Sequence, residues 1–296
     1  SISQLERLLS GLRCLHYSLE TEFTIECNLL DLTEEKLQLF QKFGINRLSV
    51  GIQSSHSQNL EFLERNYTRK EIVSYLTLAK KYFSNINLDL IYAIPGETIE
   101  MLKEDLEFFL SLEVPHISAY SLMIEENTKL GIQKVEPISE ELDQFMYETI
   151  QKTLIENGYS HYEISNYARF GYESRHNQAY WANHQYYGFG IGASGYIEST
   201  RYTNTKNVKK YLSGNYLYNQ EIITPSIDAS NYAIFGFRTL KGIDKAEFLQ
   251  KIGVDFKEYF DIDILLKEQI ILETENSYYL NPNYWYISNE ILVKFI

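Results

Sequence analysis

Four short apolar runs, "FTIEC", "RLSVGIQ", "INLDLIYAIP" and "HISAYSLMI", recur across residues 1–125, and the stretches between them return apolar side chains at helical spacing. Runs of this length, rich in Ile, Leu, Val and Tyr, predict strands. Their alternation with helices predicts repeated βα units, and so an α/β array of parallel strands forming a barrel or an open sheet. The intervening helices have readable ends. In "LTEEKLQLFQKFG", Thr33 is placed to cap, Glu34 and Glu35 favour the positive N-terminal end of the helix dipole, and Gly44 is placed to close it. In "ETIEMLKEDLEFFLSL", Ile99, Leu102, Leu106 and Phe109 form one core-facing stripe. The chain opens on an amphipathic helix, "SISQLERLLSGLR", with no strand before it.

The pattern changes near residue 130. A helix, "SEELDQFMYETIQKTLIENGY", leads into a tyrosine-rich, glycine-rich stretch running from His161 to Thr205, which predicts an irregular strand-and-loop layer. Within it, "GFGIGASG" spaces Gly188, Gly190, Gly192 and Gly195 for a close backbone approach, either to a flat ligand or between strands. It lacks the dinucleotide fingerprint. From about residue 226 the order is helix, helix, two short strands, helix, as in a small winged-helix-like module that serves packing or partner contact. The expected divisions are therefore 1–130, 131–225 and 226–296.

Composition narrows the class. At 296 residues, with 44% hydrophobic and 23% charged residues, the chain holds a sizeable core and is globular. A net charge of −13 argues against a nucleic-acid partner, which would want a basic stripe. No run is long enough for a membrane span, and there is no secretory signal layout. Two cysteines, Cys14 and Cys27, make no disulfide framework and are spaced wrongly for a metal knuckle, so they read as buried small hydrophobes in a reducing cytoplasm.

Polar residues interrupt the strands at Glu26, Gln53 and Asp89. A carboxylate inside "LDLIY" is expensive to bury unpaired. Asp89 either bonds a neighbouring loop or arginine, or faces a ligand together with the other two, where barrel chemistry gathers. In "ESRHNQAYW", His176 is open to two readings as well, a structural hydrogen-bonder or a metal ligand flanked by aromatics.

Taken together, "GINRLSVGIQS", "LDLIYAIPGET", "PHISAYSL", "HYEISNYARFGYESRHNQAYW" and "ISNEILVKF" resemble the haem chaperone HemW family, a group of radical S-adenosylmethionine (SAM) proteins related to oxygen-independent coproporphyrinogen III oxidase. The resemblance covers essentially the whole chain. It implies a partial (β/α)₆ barrel followed by a C-terminal helical domain, with a SAM pocket lined here by Glu26, Gln53, Arg65 and Asp89. Carboxylates suit the ammonium and hydroxyl groups of that ligand, and an arginine suits its carboxylate.

The resemblance also implies haem binding through HNxxY, matched by His176, Asn177 and Tyr180. His176 would be the axial ligand of the haem iron, Asn177 would orient its ring, Arg175 would meet a propionate, and His161 and His184 are reserve ligands. Family members carry a CxxxCxxC loop for a [4Fe–4S] cluster and a GGGTP turn. Neither motif occurs in these residues, so the chain reads as N-terminally truncated and is expected not to assemble the cluster. The leading expectation is a cytoplasmic haem chaperone that passes haem to an acceptor protein. The alternatives are an oxygen-independent coproporphyrinogen III oxidase and a cluster-free remnant acting only as a binding module. Self-association into a homodimer is left open.

Overall fold

The computed structural model describes residues 1–18 and 20–296, and the chain divides into two compact units, Ser1–Glu173 and Ser174–Ile296. This single division falls elsewhere than the expected boundaries at 130 and 225.

In the first unit the order is α1 (Ile2–Leu12), β1 (Thr24–Asn28), α2 (Glu34–Lys42), β2 (Arg47–Gln53), α3 (Ser57–Phe62), α4 (Arg69–Ala79), β3 (Ile86–Tyr92), α5 (Ile99–Ser111) and β4 (His116–Ser121). The unit continues through α6 (Lys129–Ile132), α7 (Glu140–Glu156), β5 (Ser160–Glu163) and β6 (Asn166–Ala168). One six-stranded sheet results, in the order β1-β2-β3-β4-β6-β5. The four predicted strands are the parallel ones. Beyond them β6 runs antiparallel to β4, and β5 antiparallel to β6, so the sheet extends past residue 130.

The helix ends form as the sequence dictates. The Thr33 hydroxyl accepts the Lys36 N–H, and Gly44 adopts φ +80° just beyond the end of α2. The strand period of two sorts the side chains into two sets. Leu48, Val50, Ile52, Leu88, Leu90 and Ile117 are fully buried, as are Leu37, Ile72, Leu102 and Phe109 on the helices. Burial of each such side chain contributes about 1.5–3 kcal/mol. The alternate strand positions carry Glu26, Ser49, Asn87, Asp89 and Ser118, a polar face on the same sheet.

The second unit begins with α8 (Arg175–Trp181) and continues as β7 (Ser194–Ile197), β8 (Thr200–Asn204), α9 (Val208–Leu212), β9 (Leu217–Ile222) and α10 (Pro225–Gly236). It ends with β10 (Ile243–Asp244), α11 (Lys245–Ile252), α12 (Phe256–Tyr259), α13 (Asp263–Lys267), β11 (Ile271–Glu273), β12 (Ser277–Leu280) and α14 (Ser288–Leu292). It holds two small sheets, β7-β8-β9 and β10-β12-β11, both antiparallel. A cluster of Phe237, Phe248, Phe256 and Phe295 is fully buried around the second of these. No helix of the described residues is long and apolar enough to cross a membrane.

Candidate functional site

The polar face of the first unit is wired by side chains from three neighbouring strands. Parallel pairing sets Glu26 opposite Ser49, Ser49 opposite Asn87, and Asp89 opposite both Gly51 and Ser118. Asn87 donates through Nδ2 to Ser49 Oγ and to Asp89 Oδ1, each at 2.8 Å. Its Oδ1 accepts from Ser118 Oγ (3.0 Å) and lies 2.5 Å from His116 Nδ1. The other imidazole nitrogen, Nε2, meets Tyr162 Oη at 2.8 Å. Because Asn87 Oδ1 can only accept, this network assigns the Nδ1–H tautomer to His116. Burial holds the His116 pKa well below its ordinary value, with the Arg47 charge adding to the effect, so the ring is neutral. Donors thus run from Tyr162 through His116 and Asn87 to Asp89. Burial raises the Asp89 carboxyl, the bonds from Asn87 and Ser118 counter it, and the Glu26 charge pushes it further up. Asp89 is thus hydrogen-bonded within the sheet and feels the charge of Glu26 on the same face.

Gln53 ends β2 with φ +71°, a strained backbone for a residue with a side chain. Two side chains from elsewhere hold that turn. Tyr67 Oη donates to Ile52 O at 2.6 Å. Asp105, fully buried on α5, accepts from Ser54 Oγ (2.6 Å), the Ser55 N–H (2.7 Å) and Ser55 Oγ. Arg69 Nε closes the set by donating to Ser55 Oγ at 3.0 Å. The turn after β3 is held in a similar way. Glu97, 3% exposed, accepts from the Ile94 N–H and from Asn59 Nδ2, each at 3.1 Å, beside Ala93 at φ +61°. Burial pushes its carboxyl up to about 7, despite the bond from Ile94, and the Asp105 charge adds to the rise.

These residues fit a polar ligand at the strand ends. Among the described residues Gln53 Oε1 is buried without a hydrogen-bond partner, at a cost of about 1–3 kcal/mol if nothing meets it. The space above Gly51 holds the Gln53 amide itself, since a Cβ at Gly51 would lie 2.7 Å from Gln53 Nε2. Arg65 lies half-buried in the loop after α3. Glu26, Gln53, Arg65 and Asp89 all belong to the first unit, and the polar network links Asp89 to its strand neighbours. The residues do not fit a [4Fe–4S] cluster. Burial pushes the Cys27 thiol up to about 12, the reverse of what a thiolate ligand needs. Cys14 is exposed on the surface and is not the buried hydrophobe expected. No group of three metal-ligating side chains occurs among the described residues.

HNxxY lies in the second unit, and on a helix instead of the expected loop. Ser174 caps α8 by accepting the Asn177 N–H at 3.2 Å, so His176 and Tyr180 stand one turn apart on a shared face. Both are exposed. Their rings meet edge to face with centroids 4.6 Å apart, and Tyr180 meets Tyr186 in the same manner at 4.4 Å. Burial pushes the Tyr180 phenol up, and Tyr186 adds to it, so at neutral pH it stays protonated. Arg175 is exposed and Asn177 half-buried on the same helix. The reserve ligands part company. His184 lines a cavity with Tyr180 and Tyr186. His161 belongs to the other unit, stacked on Tyr167 at 4.1 Å, with ring nitrogens meeting Gln151 Nε2 and Ile164 O. Burial brings it down to about 3, so it is a neutral packing residue.

Of the glycines of "GFGIGASG", Gly188 and Gly195 allow close packing, while Gly190 and Gly192 take positive φ. A Cβ on Gly188 would strike Ser194 O, and one on Gly195 would strike the Tyr202 ring. Sequence reading passes over Asn87, Tyr67, Asp105 and Glu97. For Asp105 a signal existed, because it falls on the buried stripe of α5 beside Leu102, Leu106 and Phe109.

Comparison with known proteins places the same pieces in a family. Residues 3–109 match the Radical SAM superfamily. The heme chaperone HemW of Lactococcus lactis is 34% identical over 309 aligned positions, covering 100% of this chain and 81% of that protein. The heme chaperone HemW of Bacillus subtilis is 33% identical, covering 93% of this chain and 76% of that protein. Among solved structures, the coproporphyrinogen III oxidase HemN of Escherichia coli superposes with a TM-score of 0.85 at 20% identity, over 100% of this chain and 74% of that one, which establishes the fold. With its parallel sheet, its α8 motif and relatives matched over most of their length, the chain belongs to the HemW family of the radical SAM superfamily.

Proposed function

We propose that the chain binds haem, with His176 as the axial ligand of its iron, and passes it to an acceptor protein. One observation carries the reading: an exposed imidazole on α8 with Tyr180 packed edge-on one turn away. A neutral imidazole is a good haem ligand, and a protonated tyrosine beside it gives the macrocycle an apolar wall. Arg175, exposed one residue before His176, would meet a propionate carboxylate. The name carried by the HemW relatives favours this reading over porphyrinogen oxidation, since the likeness to the oxidase is one of fold.

SAM belongs to the reading as a ligand of the first unit. Glu26 and Asp89 would meet its hydroxyl and ammonium groups, Arg65 its carboxylate and Gln53 its polar edge. Bound with a cluster, SAM supplies radical chemistry in this superfamily. What these residues do themselves is bind and orient it.

A haem titration followed by Soret absorption tests the reading. The parent should give a saturable, shifted band that His176→Ala loses. Identical behaviour of the two proteins would remove His176 from the account.

A further inference from the structure

The second unit holds a cavity of about 220 Å³ whose lining extends from Tyr180 well beyond the HNxxY motif. Tyr180, His184, Tyr186, Tyr196 and Phe235 give it an aromatic lining, and Arg201 supplies a cation. Tyr180 connects this cavity to the imidazole, because its ring touches His176 on one side and Tyr186, a cavity wall, on the other.

Arg201 is unusual in this setting. It is half-buried on β8, its guanidinium carbon lies 5.8 Å from the centre of the Tyr196 ring, and no carboxylate lies within ion-pair distance among the described residues. Most of the chain's charge is of the opposite sign, with 40 acidic against 27 basic residues. Glu221 stands opposite Arg201 on β9 but outside ion-pair distance, and Asp228 already accepts from Asn183 Nδ2 (2.7 Å) and Tyr196 Oη (3.3 Å) and pairs with Lys251 at 3.4 Å. A guanidinium beside an aromatic ring can still direct N–H groups in its plane to a carboxylate, as a fork. A partner for this cavity is thus flat and apolar over most of its surface and carboxylated at an edge.

Resting on the haem reading above, we propose that Arg201 and the aromatic cavity beside it anchor a porphyrin carboxylate, so that the chain recognises its cargo by a propionate as well as by its iron. Two ring-to-ring contacts, with centroids 4.6 and 4.4 Å apart, join the imidazole to the cavity wall.

The test compares haem with its dimethyl ester, whose carboxylates are blocked, by Soret titration of the full chain. The parent should bind haem about tenfold more tightly than the diester, the size of effect one charge-assisted carboxylate contact gives. Arg201→Gln should lose most of that preference, the remainder being what Arg175 supplies, and Arg201→Lys should keep more of it than Arg201→Gln. An Arg201→Gln protein with the parent's preference would overturn the assignment and leave His176 ligation standing. A parent that fails to bind either compound would overturn both readings. Metal-free protoporphyrin and its diester, compared on the parent by fluorescence, need no variant: equal affinity for the two would also sink the proposal.

Discussion

The two candidate sites are built on opposite plans. On the sheet face of the first unit a network of side chains is tied together before any ligand arrives: Tyr162, His116 and Asn87 point hydrogen bonds toward Asp89, and Asp105 and Tyr67 clamp the strained turn at Gln53. On α8 of the second unit the imidazole is exposed and meets aromatic rings. Preorganisation of the first kind suits a ligand that must be oriented for chemistry. A solvent-exposed imidazole beside an aromatic wall suits a cargo that must be taken up and released. The contrast teaches where mutation should cost stability and where it should cost binding alone.

The largest effect is expected at Asp105. Asp105→Ala strands the Ser54 hydroxyl and both Ser55 donors in a dry interior, and urea unfolding should show a loss of about 4 kcal/mol. A loss under about 1 kcal/mol would mean that the clamp is not closed, and the comparison would break.

Next comes Glu97, whose folded-state pKa lies above its unfolded value. Its contribution to stability is therefore fully present in acid and is lost as pH rises from the ordinary carboxylate range through about 7. This group should cost the parent on the order of 3 kcal/mol across that window. Glu97→Gln should flatten the fall, which urea unfolding at a series of pH values would reveal. A parallel decline in both proteins would place the titrating group elsewhere.

Gly51→Ala sharpens the comparison with a small change in stability. The added Cβ meets the flexible end of Gln53, so stability should fall by less than about 1 kcal/mol. SAM affinity, read by calorimetry, should nonetheless drop about tenfold as the Gln53 amide is displaced. Unchanged affinity would take Gln53 out of the pocket.

The contrast also explains what the sequence made legible. The parallel strands could be read because "RLSVGIQ" and "INLDLIY" are dense in β-forming side chains, and Thr33 marked the start of α2 by its cap. The antiparallel pair β5 and β6 was hidden because strands of four and three residues, "SHYE" and "NYA", carry too few positions to show a period. Helix α8 was hidden for a similar reason: seven residues with a single small and two aromatic side chains display no stripe, and its Ser174 cap sits among polar neighbours. Glu26, Gln53 and Asp89 were visible as polar breaks in apolar strands. Their supports were not assigned, since Tyr67 sits in a loop and Asp105, though on the buried stripe of α5, reaches the Gln53 turn from an element distant in sequence.

The most direct test of the account is the paired behaviour of His176→Ala. The account predicts that this exposed position costs less than about 0.5 kcal/mol of stability on substitution, while the saturable Soret shift on haem titration disappears. A variant that keeps the parent's Soret band and haem affinity would contradict it, and α8 would then be a helix with an ordinary surface histidine.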